Sequence, residues 1–183
     1  MAEIHVTGLA DLQKFLDTLP AKIERNVLRG ALRAGAKVIE AQAKARAPVG
    51  QPSSENKRLY GGYAGALRDS IRVTTRIKGG RVTASIKAGG KNSKTKADVY
   101  YAHMVEFGTS AHNIAAHIGG WLSFMNIFVK SVNHPGAKPH PFMRPALDSQ
   151  ASNAVVAAAD YMKQRLQSQH GIDTSSVVIE GDS

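Results

Sequence analysis

The chain has 183 residues, 43% of them hydrophobic and 21% charged, which is enough for one domain with an apolar core. It has no cysteine, which excludes disulfide frameworks, cysteine metal sites and thiol nucleophiles. Lysine and arginine number 24 against 14 acids, and the excess sits early: residues 1–100 hold 19 of the bases and 8 of the acids. A basic half of this kind fits an anionic partner, nucleic acid or an acidic protein surface, and equally well ordinary solubility charge.

The opening MAEIHVTG has no basic start followed by an apolar run, so no secretory signal is expected. Leu9, Leu12, Phe15, Leu16 and Leu19 recur at helical spacing and predict a short helix over 9–19. Pro20 suits the first turn of a second helix, which runs to Ala47 and is stopped by Pro48 and Gly50. On that helix Ile23, Val27, Ala31, Ala34, Val38 and Ala45 share one side, widened by Leu28, Gly35 and Ile39. Opposite them lie Lys22, Arg25, Arg29, Arg33, Lys37 and Lys44, with Glu40 the one acid among them. The ridge Arg25, Arg29, Arg33, Lys37 and Lys44 reads either as a solvated face or as a surface for an anionic partner. The lack of alternating acids at i,i+4 favours the second.

Residues 48–65 are dense in Gly, Pro, Ser and Asn and read as a loop. Ile71, Val73 and Ile77, then Gly79-Gly80, then Val82, Ala84 and Ile86 predict a β-hairpin. GGKNSKTKAD reads as a basic loop without P-loop spacing. VYYAHMVEFGT, residues 99–109, predicts a strand entering a turn at Gly108-Thr109. WLSFMNIFVKSV predicts one or two further strands with a turn or bulge near Asn126; the surrounding apolar run is too short and interrupted to span a bilayer. Leu147, Ala151, Ala154, Val155, Ala158, Tyr161, Met162 and Leu166 follow helical spacing in a last helix that stops at His170-Gly171. The fold class is therefore α+β: a small antiparallel or mixed sheet packed by a long N-terminal helix and a C-terminal helix, with extended loops. The expected organisation is a single domain over 1–171 and a polar tail or arm over 172–183, in a soluble protein made inside the cell.

Catalytic chemistry needs convergent groups. His103 and Glu106 could form an acid/base pair on a helix, but a strand sends residues three apart to opposite faces. The histidines at 103, 112, 117, 134 and 140 show no zinc-binding spacing, no serine sits in a G-x-S-x-G elbow, and no dinucleotide fingerprint is present. Neither catalytic residues, nor a cofactor, nor a metal site is expected. Aromatic residues make up 6% of the chain, which supplies a base-stacking platform poorly. Backbone-only DNA contact through the basic helix needs charge and no motif, so it stays as the alternative.

In order, VTGLADLQKFLDTLP, ALRAGAKVIEAQAKARAPVG, GALRDSIRV, YYAHMVEFGT and NHPGAKPHPFMRPAL resemble the tail-completion (neck) proteins of long-tailed double-stranded DNA bacteriophages. Glu106-Phe107-Gly108-Thr109 ahead of Pro141-Phe142-Met143-Arg144-Pro145-Ala146-Leu147 is the most specific part. The resemblance implies a non-enzymatic virion protein that completes the tail or joins it to the head through a ring at the neck. It would be assembled in the host cytoplasm. The implied partners are copies of itself, connector or adaptor proteins, and tail-tube or tail-terminator proteins; no membrane is implied, and DNA contact is the less favoured option. Glu106, Phe107, Gly108, Thr109, Pro141, Phe142, Arg144 and Pro145 become structural signature residues. Glu106 is expected beside the start of the last helix, paired with Arg144 or accepting backbone N–H bonds there, where a helix N-terminus favours a carboxylate.

Overall fold

The computed structural model describes residues 21–51, 54–91, 97–117, 119–124 and 127–170. The helix expected over 9–19, Asn126, residues 92–96 of the basic loop and the tail after His170 lie outside the described residues. Two long helices dominate: α1, Ala21–Arg46, and, last in the chain, Met143–His170. On α1 the fully buried positions include Val27, Ala31, Gly35, Ile39, Ala43 and, just past its end, Ala47, one every fourth residue. Four residues overshoot a helical turn by about 40°, so this line winds around the helix rather than running straight along it. The first half of the line therefore meets the C-terminal helix. The second half faces Ala66, Leu67, Ile71 and Val99 in the core. Ala45, expected on the apolar side with Val27, is exposed for this reason, and Ala43 and Ala47 take its place.

The expected loop at 48–65 contains a helix, α2, Ser54–Tyr60. Between the Pro52 and Gly61 punctuation, SENKRLY is made mostly of good helix formers, and the Gly61 N–H closes it on the Lys57 carbonyl at 3.1 Å. It has no apolar stripe, and Leu59 is 53% exposed, so periodicity had nothing to detect. α3, Ala66–Ser70, then leads into the hairpin of β1, Arg72–Lys78, and β2, Arg81–Lys87. The hairpin pairs in unbroken antiparallel register from Arg72↔Lys87 to Lys78↔Arg81. Gly79 and Gly80 both have positive φ, 56° and 77°, as a two-residue turn matching the strand twist requires. The apolar cross-strand pair Val73↔Ile86 reaches the core, and α1 packs across the hairpin.

A two-residue ladder, β3 Gly90–Lys91 with β4 Asp98–Val99, carries the chain to the segment expected as a strand. That segment is instead a helix, α4, Ala102–Phe107. The Met104 and Val105 N–H groups bond the Tyr101 carbonyl at 2.9 and 3.1 Å, and Ala102 and Glu106, four apart, are its buried residues. Beyond it, β5, His112–Ala115, pairs with β8, Ser131–His134, and between them β6, Leu122–Phe124, pairs with β7, Ile127–Val129. The stretch expected to hold one or two strands therefore holds three. α5, Met143–His170, is the last of the described elements and runs antiparallel to α1: Gly30 lies against Tyr161, and Gly35 against Ala154 and Ala158. A Cβ on Gly35 would run into the Ala154 carbonyl oxygen, which shows how closely the two backbones approach. Leu147, expected on the apolar face of α5, is 51% exposed, and its neighbour Ala146 is fully buried in its place.

The architecture is the expected α+β one, with each sheet a two-stranded antiparallel ladder. Phe142, Ile71 and Val99, each 1% exposed, are the large side chains at the centre of the core, set among alanines.

Candidate functional site

The two signature stretches close on each other. The Glu106 carboxylate accepts three backbone N–H bonds at the start of α5: Phe142 and Met143 on Oε2 at 2.8 and 2.9 Å, and Arg144 on Oε1 at 3.1 Å. These donors are among the first of a helix and have no carbonyl partner within it. A carboxylate borrowed from another element thus caps α5, where the helix dipole also favours negative charge. Burial by itself would raise the Glu106 pKa. The bonds from Met143, Phe142 and Arg144, with the Arg144 charge, outweigh it and hold the carboxyl below its usual value.

The neighbours hold this lock in place. The His140 N–H bonds the Val105 carbonyl at 2.8 Å, and Thr109 and Ala137 exchange N–H···O bonds at 3.0 and 3.1 Å. The Thr109 hydroxyl also accepts from the Ala137 N–H at 2.9 Å. Gly108 sits at φ 72° with the Ala137 carbonyl oxygen 2.6 Å from where a Cβ would stand, so a side chain there would both strain the backbone and break the contact. The Arg144 guanidinium lies 4.9 Å over the Phe107 ring and does not form an ion pair with Glu106; its backbone N–H makes the contact to that carboxylate. Pro145 falls in the first turn of α5, where a missing N–H costs little, and Pro141 is exposed just before Phe142 enters the core.

A second node escaped the sequence reading. The Ser70 hydroxyl, 2% exposed, donates to the Leu67 carbonyl at 2.7 Å and accepts the Gly89 N–H at 2.9 Å. Arg72 Nη1 donates to the carbonyls of both Ser70 and Gly89, at 2.9 and 2.8 Å. This ties the end of α3 to the exit of the hairpin. The only sequence signal was a polar residue set between Leu67 and Ile71.

Because α4 is a helix, His103 and Glu106 do lie three apart on a helical turn. His103 is exposed, however, while Glu106 is buried and engaged with α5. A cleft of about 410 Å³ opens beside α3 and α4, with Tyr63, Tyr100 and Tyr101 in its wall and neither histidine nor carboxylate among its lining residues. Burial, then Tyr100 and Tyr63, push the Tyr101 phenol up, away from any use as a base near neutral pH. Among the described residues no three His, Asp or Glu side chains group so as to hold a metal ion, and no helix is long and apolar enough to cross a membrane.

On α1 the expected ridge is divided. Arg25, Arg29, Arg33 and Lys37 are exposed at four-residue spacing. Lys44 is half-buried and bonded to Glu40 at 2.6 Å, an i,i+4 pair, so it belongs to the helix surface more than to the ridge.

Residues 10–108, more than half of the chain, match the model of the family described as "Bacteriophage HK97-gp10, putative tail-component". The chain belongs to the HK97-gp10-like family. As a member of this tail-component family it is a virion protein that works against other virion proteins. No curated protein and no solved structure matches it significantly. The match to the HK97-gp10-like family ends at Gly108, so the Glu106 lock joins the last residues of the matched region to a helix beyond it.

Proposed function

We propose that this protein is a non-catalytic structural component that completes the tail or joins it to the head by forming a ring at the neck. Membership of the HK97-gp10-like tail-component family carries the reading. Ring closure requires heterologous contacts, in which one surface of a copy fits a different surface of the next. Trp121, Ile127 and Phe128, on and beside the β6–β7 hairpin, are 59%, 64% and 64% exposed, and apolar exposure of this kind supports such contacts. The exposed α1 ridge, led by Arg29 and Arg33, supplies the complementary charge for an acidic connector or tail protein. Residues 172–183 form an assembly arm attached to a single domain over 1–171.

Negative-stain imaging and sedimentation of the purified protein, alone and mixed with tails, test the reading. Rings, or decoration of one tail end, are expected. A protein that stays monomeric and binds neither tails nor heads sinks it. Arg29→Glu with Arg33→Glu leaves the fold intact and makes filled heads and tails accumulate separately; normal plaque formation by that double variant would reduce the ridge to a solvated face.

A further inference from the structure

The β1–β2 hairpin has one apolar face and one face with no anion on it. Residues 72–87 contain Arg72, Arg76, Lys78, Arg81 and Lys87 and not one acid. All five cations are exposed. The pairing register places them together: Arg72↔Lys87, Thr74↔Ser85, Arg76↔Thr83 and Lys78↔Arg81 are directly opposed, and alternate residues of a strand share a face. The other face holds Val73↔Ile86, Thr75↔Ala84 and Ile77↔Val82, and it reaches the core through its first pair. The charged face therefore points away from the core. Arg76, Lys78, Arg81 and Lys87 make no ion pair within the described residues.

Two further observations separate this face from ordinary solvated charge. Like charges directly opposite in an antiparallel pair destabilise it, and this hairpin has two such pairs, Arg72↔Lys87 and Lys78↔Arg81. The face also borders a trough of about 900 Å³ lined by Arg76, Lys78, Arg81 and Lys87 together with Thr74, Thr83 and Ser85, and by Thr75 and Gly79. Arginine, lysine, serine and threonine side chains all supply contacts to phosphate and sugar, which position a duplex without carrying sequence information. Aromatic groups for stacking and amides for reading adenine are both missing from the trough lining.

We propose that the outer face of the β1–β2 hairpin is a contact surface for the phosphate backbone of duplex DNA, independent of sequence. The proposal does not depend on ring formation, and it uses a surface distinct from the α1 ridge. Contacts made only to phosphates permit sliding along the duplex, so such a face steadies DNA without holding it in one register.

The test is fluorescence anisotropy of the full chain with a labelled 30-base-pair duplex of arbitrary sequence across a salt series. Four phosphate contacts predict a slope of log K against log salt of about −3.6, or about a 150-fold loss of affinity between 50 and 200 mM salt. Arg76→Ser, Lys78→Ser, Arg81→Ser and Lys87→Ser together should flatten the slope to near zero. Arg72 is left in place because it tethers Ser70 and Gly89. Circular dichroism checks the fold, and Lys78→Ser with Arg81→Ser, which removes a repulsive pair, gives a milder variant that should lose about half the slope. Arg29→Ser with Arg33→Ser should leave the slope unchanged. The proposal is overturned if the wild-type chain does not bind the duplex at 50 mM salt, or if the hairpin variants keep the full slope. It also fails if the α1 variant abolishes binding instead, or if poly-glutamate displaces the duplex at equal charge concentration, which would assign the face to an acidic protein.

Discussion

Replacing Glu106 with alanine removes the acceptor for three N–H groups at once. The Phe142 donor sits with its residue 1% exposed, so water cannot readily replace the carboxylate, and an orphaned buried donor costs about 1–3 kcal/mol. Met143 and Arg144 are less buried; losing their bonds resembles losing a helix N-cap, at about 1 kcal/mol. The expected sum is about 3 kcal/mol, which for a chain of this size lowers Tm by about 6–12 °C. Glu106→Gln keeps one carbonyl oxygen for Phe142 and Met143 but turns an amide towards Arg144, so its cost is smaller. The pH dependence separates charge from packing. The folded-state pKa of Glu106 lies below its ordinary 4.5, so its contribution is fully present above that value and is lost as pH falls through the lowered folded pKa. In urea titrations the gap between wild type and Glu106→Gln should be widest near neutral pH and should narrow steadily below pH 4.5. A cost for Glu106→Ala under about 1 kcal/mol, the range of an exposed ion pair, would refute the lock. So would a wild-type-to-Gln gap that stays constant through that acid range.

Gly35→Ala sets two effects against each other: a gain in helix propensity of about 1 kcal/mol, and a Cβ driven into the Ala154 carbonyl. Backbone cannot yield as a side chain tip does, so net destabilisation of about 1–3 kcal/mol is expected in a thermal melt. Ser70→Ala strands the buried Gly89 N–H and should cost about 1–3 kcal/mol, while Ser70→Thr should recover part of the loss if the methyl is accommodated. Gly108→Ala must hold φ 72° with a Cβ 2.6 Å from the Ala137 carbonyl, and hydrogen exchange should show faster opening at the Thr109 and Ala137 amides.

Local pattern was enough for the elements whose periodicity is long or whose turn chemistry is specific. α1 and α5 each present several turns of recurring apolar and small residues, and the paired glycines at 79–80 allow little other than a tight hairpin turn. α4 was not legible. Six residues of YYAHMVEF fit period two as well as period 3.6, and only the core around Ala102 and Glu106 favours the helix. α2 was hidden because it has no apolar face to reveal it. The order of the EFGT and PFMRPAL stretches pointed to a relation between them and to a family, and the match over residues 10–108 agrees with that assignment.

What the sequence determined alone was the class of the fold, the position of its two long helices, and the alternation that gives the hairpin one charged face. Tertiary structure decided which residues of α1 are buried, because that line winds from α5 towards α3 and β4 and follows its neighbours more than its own periodicity. It also decided that Glu106 serves as a helix cap, since its three donors lie 36 to 38 residues further along the chain. A backbone's own period can be read from neighbouring residues. The partner of a buried carboxylate depends on which two surfaces the fold presses together, and no local pattern encodes that.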